Sequence, residues 1–153
     1  MKINGLLQAG DIIPALSAVT KGEVLSELAA KVSEQHPGLD RDAIFRILQE
    51  REQLGSTGIG DGIAIPHGKI KRLDKPVMVF ARSLEGVDYN ALDSNPVNLF
   101  FLLIAPEEAV GVHLKMLARI SRILKDPAVR KELLEAPDAA AICAAIQEQD
   151  NRY

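Results

Sequence analysis

The stretch NPVNLFFLLIAP, residues 95–106, contains an unbroken apolar run from Leu99 to Ala105. A run that is apolar on both faces is typical of a central β-strand covered on both sides, and this one is far too short to cross a membrane. A second run with β character, KPVMVFARS, precedes it at residues 75–83. Together the two runs predict the middle of a β-sheet.

Helix start signals surround these two runs. The clearest is a T-x-x-E capping box formed by Thr20 and Glu23, ahead of apolar residues at helical spacing. Further helices are predicted over about residues 41–54 and 110–125, and after the capping residues Asp126 and Asp138. Helices around a few strands predict an α/β fold: a single-domain, three-layer α/β/α sandwich with a mixed β-sheet that spans residues 1–153.

The charge and the composition of the chain argue against several classes of function. The net charge is −3, the pI is near 5.6, and aromatic residues make up only 4% of the chain, with no tryptophan. An acidic chain with few side chains for base stacking does not favour nucleic acid or an anionic membrane as a partner. The N-terminus lacks the apolar segment of a secretory signal, and the single cysteine, Cys143, is expected to be a small buried hydrophobe in a reducing compartment. We therefore expect a cytoplasmic protein.

A glycine-rich segment, STGIGDGIAIPHGK at residues 56–69, follows the second predicted helix. Its G-x-G-x-G is similar to a dinucleotide-binding fingerprint, but that motif leaves a strand and enters a helix. Here a helix comes before the glycines, and an extended segment, biased by Pro66, comes after them. A phosphate-binding P-loop is excluded by spacing, since five residues instead of four separate Gly62 from Gly68. The segment therefore predicts no nucleotide cofactor.

Three side chains are candidates for chemistry. His67 lies between Pro66, which stiffens the approach, and Gly68, which cannot shield it, although a surface histidine without a role fits the same pattern. Arg51 continues the apolar stripe of the second helix and should point inward at its end; an arginine that only complements the helix dipole is the alternative. His113 heads the buried stripe of a later helix, where a core histidine is the alternative.

These side chains suit phosphoryl chemistry. A neutral imidazole nitrogen is a nucleophile for phosphorus when a hydrogen bond on its other nitrogen fixes the tautomer. Arg51 and His113 can then donate to the oxygens of the transferred group. We expect the hydroxyl groups of Ser56 and Thr57 to stabilise the phosphate as well. No metal ion is needed if the donor is itself a phosphohistidine.

Two segments carry a resemblance to a known family: REQLGSTGIGDGIAIPHGK at residues 51–69 and PVNLFFLLIAPEEAVGVHLKMLARISRIL at residues 96–124. The chain resembles the enzyme IIA domains of the fructose–mannitol class (EIIA type 2) of the bacterial phosphoenolpyruvate-dependent phosphotransferase system (PTS), and most of all its nitrogen-regulatory members. The resemblance implies an α/β/α domain that accepts a phosphoryl group on His67 from a small phosphocarrier of the HPr type. It also implies that His113 and Arg51 belong to the active site.

Two roles are compatible with this resemblance. A nitrogen- or carbon-regulatory IIA protein would report its phosphorylation state by binding a target protein, and a chain from Met1 to Tyr153 without fused transport segments favours this role. A sugar-transport IIA protein of the fructose or mannitol type would instead pass the phosphoryl group to a cysteine of a IIB domain. The sequence leaves both roles open.

A third hypothesis comes from a different class of protein. A metal-dependent hydrolase could use His67, His113 and a carboxylate such as Asp61 as ligands. The sequence disfavours this hypothesis, because H-E-x-x-H is absent and the two histidines, 46 residues apart, have no ligand spacing of their own.

Overall fold

The computed structural model describes residues 2–153, in which helices cover both faces of a mixed β-sheet. The strands within these residues are β1 (Ile12–Ile13), β2 (Gly58–Gly60), β3 (Ile63–Ala64), β4 (His67–Ile70), β5 (Val77–Val87) and β6 (Val97–Pro106). The helices are α1 (Lys21–Gln35), α2 (Arg41–Gln53), α3 (Val110–Leu124), α4 (Pro127–Glu135) and α5 (Ala139–Arg152). This architecture confirms the predicted three-layer α/β sandwich with a mixed sheet.

The sheet is built around β6. On one side β5 runs antiparallel to β6, and β1 extends the sheet beyond β5 by parallel pairing. On the other side two short strands pair in parallel with β6, one after the other. In β3, Ile63 lies opposite Leu99, and in β4, His67 lies opposite Leu103. Pro66, between these strands, accepts a backbone hydrogen bond of 3.0 Å from Leu103, so the chain stays against β6 as it enters β4.

Alternate residues of β6 face the two helical layers. One set packs with α3, α4 and α5, and consists of Leu99, Phe101 and Leu103. The other set packs with α1 and α2, and consists of Phe100, Leu102 and Ile104. Each of these side chains is at most 1% exposed. Burial on both faces explains the continuous apolar run, since successive side chains of a strand point to opposite sides of the sheet.

The predicted helix starts are confirmed by their caps. At the start of α1 the backbone N–H of Glu23 donates to Oγ1 of Thr20 at 3.2 Å, and the N–H of Thr20 donates to the Glu23 carboxylate at 3.1 Å. Aspartate side chains cap the starts of α2, α4 and α5, and are Asp40, Asp126 and Asp138, whereas α3 begins without a side-chain cap. The capping residues therefore mark the helices correctly before any packing is known.

Cys143 lies in α5 and is buried, as predicted. Burial raises the pKa of its thiol above the ordinary value, which disfavours the reactive thiolate. None of the helices formed by residues 2–153 is both long enough and apolar enough to cross a membrane.

Candidate functional site

Three of the predicted site residues meet beside β4. His67 is the first residue of β4, Arg51 lies in the last turn of α2, and His113 lies in the first turn of α3. The Nε atom of Arg51 is 3.2 Å from Nε2 of His67, and the ring centroids of the two histidines are 5.3 Å apart. The elements converge because α2 packs on β4, while α3 follows shortly after β6, the partner of β4.

The hydrogen bonds of His67 define its tautomer. Nδ1 lies 2.7 Å from the carbonyl oxygen of Ile65, and because a carbonyl only accepts, Nδ1 carries the proton. Arg51 only donates, so Nε2 accepts its N–H through a lone pair. Burial lowers the pKa of the ring below its ordinary value; the hydrogen bond to Ile65 opposes this, and the charge of Arg51 lowers the pKa further. His67 is therefore neutral at pH 7, with its lone pair on Nε2.

His113 is a buried histidine with an unused nitrogen. Its side chain is only 5% exposed, and its Nδ1 is the one buried side-chain polar atom in residues 2–153 that lacks a hydrogen-bond partner. Burial, together with His67 and the charge of Lys69, lowers the pKa of His113 to about 4. The ring is therefore neutral at pH 7 and carries one proton on one of its two nitrogens, so it offers one donor and one acceptor.

Arg51 connects the site to the end of its own helix. Besides its contact with His67, the guanidinium donates from Nη1 to the carbonyl of Gly55 at 2.9 Å, just beyond α2. The side chain is half-buried. The side chain points inward to His67, as expected from the apolar stripe, and it also hydrogen-bonds the carbonyl of a residue that follows the helix.

Ser56 and Thr57 occupy different environments. The hydroxyl of Ser56 accepts the backbone N–H of Gly58 at 3.0 Å, and the side chain is half-buried. The hydroxyl of Thr57 is buried and hydrogen-bonded to Glu52 and, at 3.2 Å, to Tyr89. Both residues line a small cavity of about 210 Å³ beside His67. Their action on a phosphate stays a prediction, and the Thr57 hydroxyl would have to leave its present partners to make that contact.

Glu52 is a buried residue that the sequence reasoning missed. Its Oε1 accepts from the backbone N–H of Thr57 at 2.9 Å, from the Thr57 hydroxyl and from the hydroxyl of Tyr89 at 3.1 Å. Its Oε2 pairs with Nζ of Lys21 at 2.9 Å. The carboxylate thus ties the end of α2 to the glycine-rich segment directly behind the site. Its position next to Arg51 was the available signal, but nothing local pointed to its partners.

An open cleft of about 640 Å³ gives access to the two histidines. Its lining consists of Ile47, Glu50, Arg51, Gln53, Leu54, His67, Gly68, Lys69 and His113. Leu54 is 84% exposed, and Val110 and Leu114, beside His113 in α3, are 52% and 61% exposed. Exposed apolar side chains around a wide cleft are typical of a surface that another protein contacts.

The hydrolase hypothesis required a third metal ligand. Within residues 2–153, no group of three histidine, cysteine, aspartate or glutamate side chains is close enough to hold a metal ion. Asp61 lies in the turn between β2 and β3, where its backbone N–H donates to Asp93 at 3.1 Å. The described residues therefore give the metal-dependent hydrolase no support.

The site combines a neutral histidine that offers a lone pair, a neighbouring guanidinium and a second neutral histidine, and this arrangement is suited to a domain that takes up a phosphoryl group on histidine. The profile of the family described as phosphoenolpyruvate-dependent sugar phosphotransferase system, EIIA 2, matches residues 5–149. The chain belongs to this family, whose members act as phosphotransferase components.

Similar proteins agree with this membership. A nitrogen regulatory protein of Bradyrhizobium diazoefficiens is 44% identical over 146 residues, which are 95% of each chain. The PTS system fructose-specific EIIABC component of Bacillus subtilis is 39% identical over 150 residues, 98% of this chain but 24% of that protein. Among solved structures, nitrogen regulatory protein IIA-Ntr from Neisseria meningitidis has a TM-score of 0.87 and 31% identity, covering 94% of this chain and 98% of that one. The resemblance inferred from the sequence is confirmed.

Proposed function

We propose that the protein is a phosphoryl carrier that accepts a phosphoryl group on Nε2 of His67 from an HPr-type phosphocarrier protein. The observation that carries the proposal is the hydrogen bond from Nδ1 of His67 to the carbonyl of Ile65, which leaves the lone pair on Nε2. A neutral nitrogen with a fixed tautomer can attack phosphorus without first losing a proton.

The transfer exchanges one nitrogen–phosphorus bond for another. The bond between phosphorus and the donor histidine breaks, its electron pair stays on the donor nitrogen, and the lone pair on Nε2 of His67 forms the new bond. The His67 ring gains positive charge as this bond forms. Its Nδ1–H stays hydrogen-bonded to the carbonyl of Ile65, which stabilises that charge.

Arg51 and His113 would stabilise the transferred group. Arg51 donates to Nε2 of His67 before transfer, so it must turn its guanidinium toward the phosphoryl oxygens as the new bond forms. The ring of His113 lies beside that of His67, with the ring centroids 5.3 Å apart, and its protonated nitrogen would donate to a phosphoryl oxygen. Donors that lie this close to the reacting nitrogen stabilise the negative charge of the transferred group with only a local movement of a side chain.

The partner is expected to be a protein. The cleft is open and is lined by the exposed side chain of Leu54, and two further exposed apolar residues, Val110 and Leu114, lie in the same helix as His113. Phosphorylation would place a dianion at the centre of this surface and so change which proteins can bind there. We infer that the molecule acts in the cytoplasm as a nitrogen- or carbon-regulatory IIA protein, whose binding to a target depends on its phosphorylation state.

The likeness to a nitrogen regulatory protein over 95% of both chains favours this regulatory role. The second candidate is a fructose- or mannitol-type IIA protein that passes the phosphoryl group to a cysteine of a IIB domain, and the identity of 39% to a fructose-specific EIIABC component supports it. A purified fructose-type IIB domain distinguishes the two roles: rapid loss of phosphate from His67 to the IIB cysteine would favour transport.

The first experiment measures intact mass after incubation with phosphoenolpyruvate, magnesium, enzyme I and an HPr-type carrier. We expect an acid-labile gain of one phosphoryl group in the wild-type protein and in His36→Ala, and none in His67→Ala. His36 is a matched control because it is a histidine at the C-terminal cap of α1, outside the cleft lining. No gain in the wild-type protein with any carrier would overturn the proposed function.

A further inference from the structure

Gly68 follows His67 in β4, and the two residues face opposite sides of the sheet, as neighbours in a strand do. His67 lies against His113 of α3, whereas Gly68 lies against Ile47 of α2. A Cβ atom added at Gly68 would be only 2.3 Å from Cγ2 of Ile47. At Gly68 the distance between α2 and β4 is therefore too short for any residue that carries a side chain.

The restriction at Gly68 concerns space, because its backbone is ordinary strand backbone, paired with Ile104 of β6. An alanine could adopt the same backbone conformation. Ile47 cannot easily move aside, since a β-branched side chain in a helix has one strongly preferred rotamer. To restore even 3.0 Å between the two carbon atoms, α2 or β4 would have to move by about 0.7 Å.

This contact lies one helical turn from Arg51. Ile47 and Arg51 are four residues apart in α2 and so share a face of the helix. The hydrogen bond from Arg51 to Nε2 of His67 is 3.2 Å long, at the upper end of the normal range. If α2 moved away from β4 by about 0.7 Å, this hydrogen bond would be lost.

We propose that Gly68 is a positioning residue: because it has no side chain, Ile47 can seat α2 against β4 closely enough for Arg51 to reach Nε2 of His67. The consequence for phosphorylation rests on the proposed function. The positioning of Arg51 does not rest on the proposed function, because the titration of the His67 ring reports the contact between Arg51 and His67 directly.

The test compares the wild-type protein with Gly68→Ala, Ile47→Ala and the double variant, as a double-mutant cycle. Gly38→Ala is the matched control, since a Cβ atom at Gly38 meets nothing within 4 Å. NMR of isotope-labelled histidine follows the titration of His67. Intact mass follows the rate of phosphorylation by the HPr-type carrier.

In Gly68→Ala we expect a raised pKa of His67, because the charge of Arg51 that lowers it moves away. We also expect phosphorylation to slow by up to about 100-fold, because a misplacement near 1 Å can cost that much. In the double variant the pKa of His67 and the rate of phosphorylation should return to the values of Ile47→Ala alone. The shortened side chain at position 47 leaves room for the methyl group added at position 68. Gly38→Ala matches the wild-type protein.

An unchanged titration of His67 in a folded Gly68→Ala protein overturns the proposal, and so does a folded double variant that keeps the defect. If Gly68→Ala does not fold, the double variant decides: a folded protein that titrates like Ile47→Ala supports the proposal, and an unfolded one overturns it. If the wild-type protein accepts no phosphoryl group, the proposed function fails, while the titration still decides the role of Gly68.

Discussion

Arg51 donates its Nε–H to Nε2 of His67 at 3.2 Å, across the 16 residues that separate them in the chain. The same contact has two effects. The positive charge helps to keep the ring neutral by lowering its pKa, and the guanidinium lies beside the nitrogen to which a phosphoryl group would be transferred. The histidine and the arginine therefore form one functional unit.

The first prediction concerns the shape of the arginine side chain. Arg51→Lys should slow phosphoryl acceptance by about tenfold or more, because a point charge replaces a planar group with several donors. Single-turnover phosphorylation, followed by intact mass, measures the effect. Arg46→Lys, at an exposed position of the same helix, is the control and should react at the wild-type rate. An unchanged rate in Arg51→Lys would show that Arg51 serves only to hydrogen-bond the carbonyl group at the end of α2.

The second prediction separates the two histidines. His113→Ala should retain part of the phosphoryl acceptance, because the nucleophilic Nε2 belongs to His67. Onward transfer to an acceptor protein should be slowed, because a ring beside His67 that would donate to the transferred group is lost. Acceptance and release are measured separately, by loading the protein and then adding the acceptor. Normal rates of both steps would remove His113 from the site.

The third prediction concerns stability and pH. The pKa of His113 is about 4 in the folded protein and near 6.5 when the chain is unfolded. Between these pH values the unfolded chain binds more protons than the folded one, so the free energy of unfolding should decrease as the pH falls from about 6.5 toward 4. Urea unfolding at pH 7 and pH 5 measures this decrease.

His113→Asn tests the origin of this pH dependence. The variant should lose part of the decrease, and the remainder should come in part from His67, whose pKa is also lowered. His36→Asn is the control and should keep the full wild-type decrease. An equal decrease in His113→Asn and the wild-type protein would show that His113 takes up its proton as readily in the folded state as in the unfolded one.

The fourth prediction concerns the buried carboxylate behind the site. Glu52→Gln should reduce the free energy of unfolding by about 3 kcal/mol, because it leaves Lys21 without its partner in a largely buried network. It should also lower the pKa of His67 further, since the charge of Glu52 raises that pKa. Urea unfolding and histidine NMR measure the two effects.

Glu34→Gln is the matched control for Glu52→Gln. Glu34 pairs with Lys31 at 3.3 Å, but its side chain is 65% exposed, and surface ion pairs of this kind contribute little. The control should therefore change the free energy of unfolding by less than about 1 kcal/mol. If Glu52→Gln reduced the free energy of unfolding by no more than the control does, the network would not hold the glycine-rich segment in place.

The layers of the fold could be predicted because their signals are local. The capping residue Thr20 and the apolar run of β6 each identify an element from a few neighbouring residues. The sequence did not predict β1, β2, β3 and β4 as separate strands, because they are only two to four residues long and carry no measurable periodicity. β1 pairs with β5, and β3 and β4 pair with β6, through long-range contacts, whereas β2 pairs with β3.

The candidate side chains of the site were also visible locally, since Pro66 and Gly68 flank His67 and helical spacing places Arg51 and His113 on inward faces. Glu52 was not visible, because its partners Lys21 and Tyr89 are 31 and 37 residues away and follow no fixed spacing. A buried charge can be recognised only when its partners are known.

The α/β layers and the residues available for chemistry can be derived from the amino-acid sequence, because periodicity, capping and side-chain type act over short stretches of chain. The tautomer of His67, the unpartnered nitrogen of His113 and the close contact of Gly68 with Ile47 are known only from the folded structure. Each of these depends on side-chain orientations and interatomic distances that the residue types do not specify. Such distances are set by how the whole core packs.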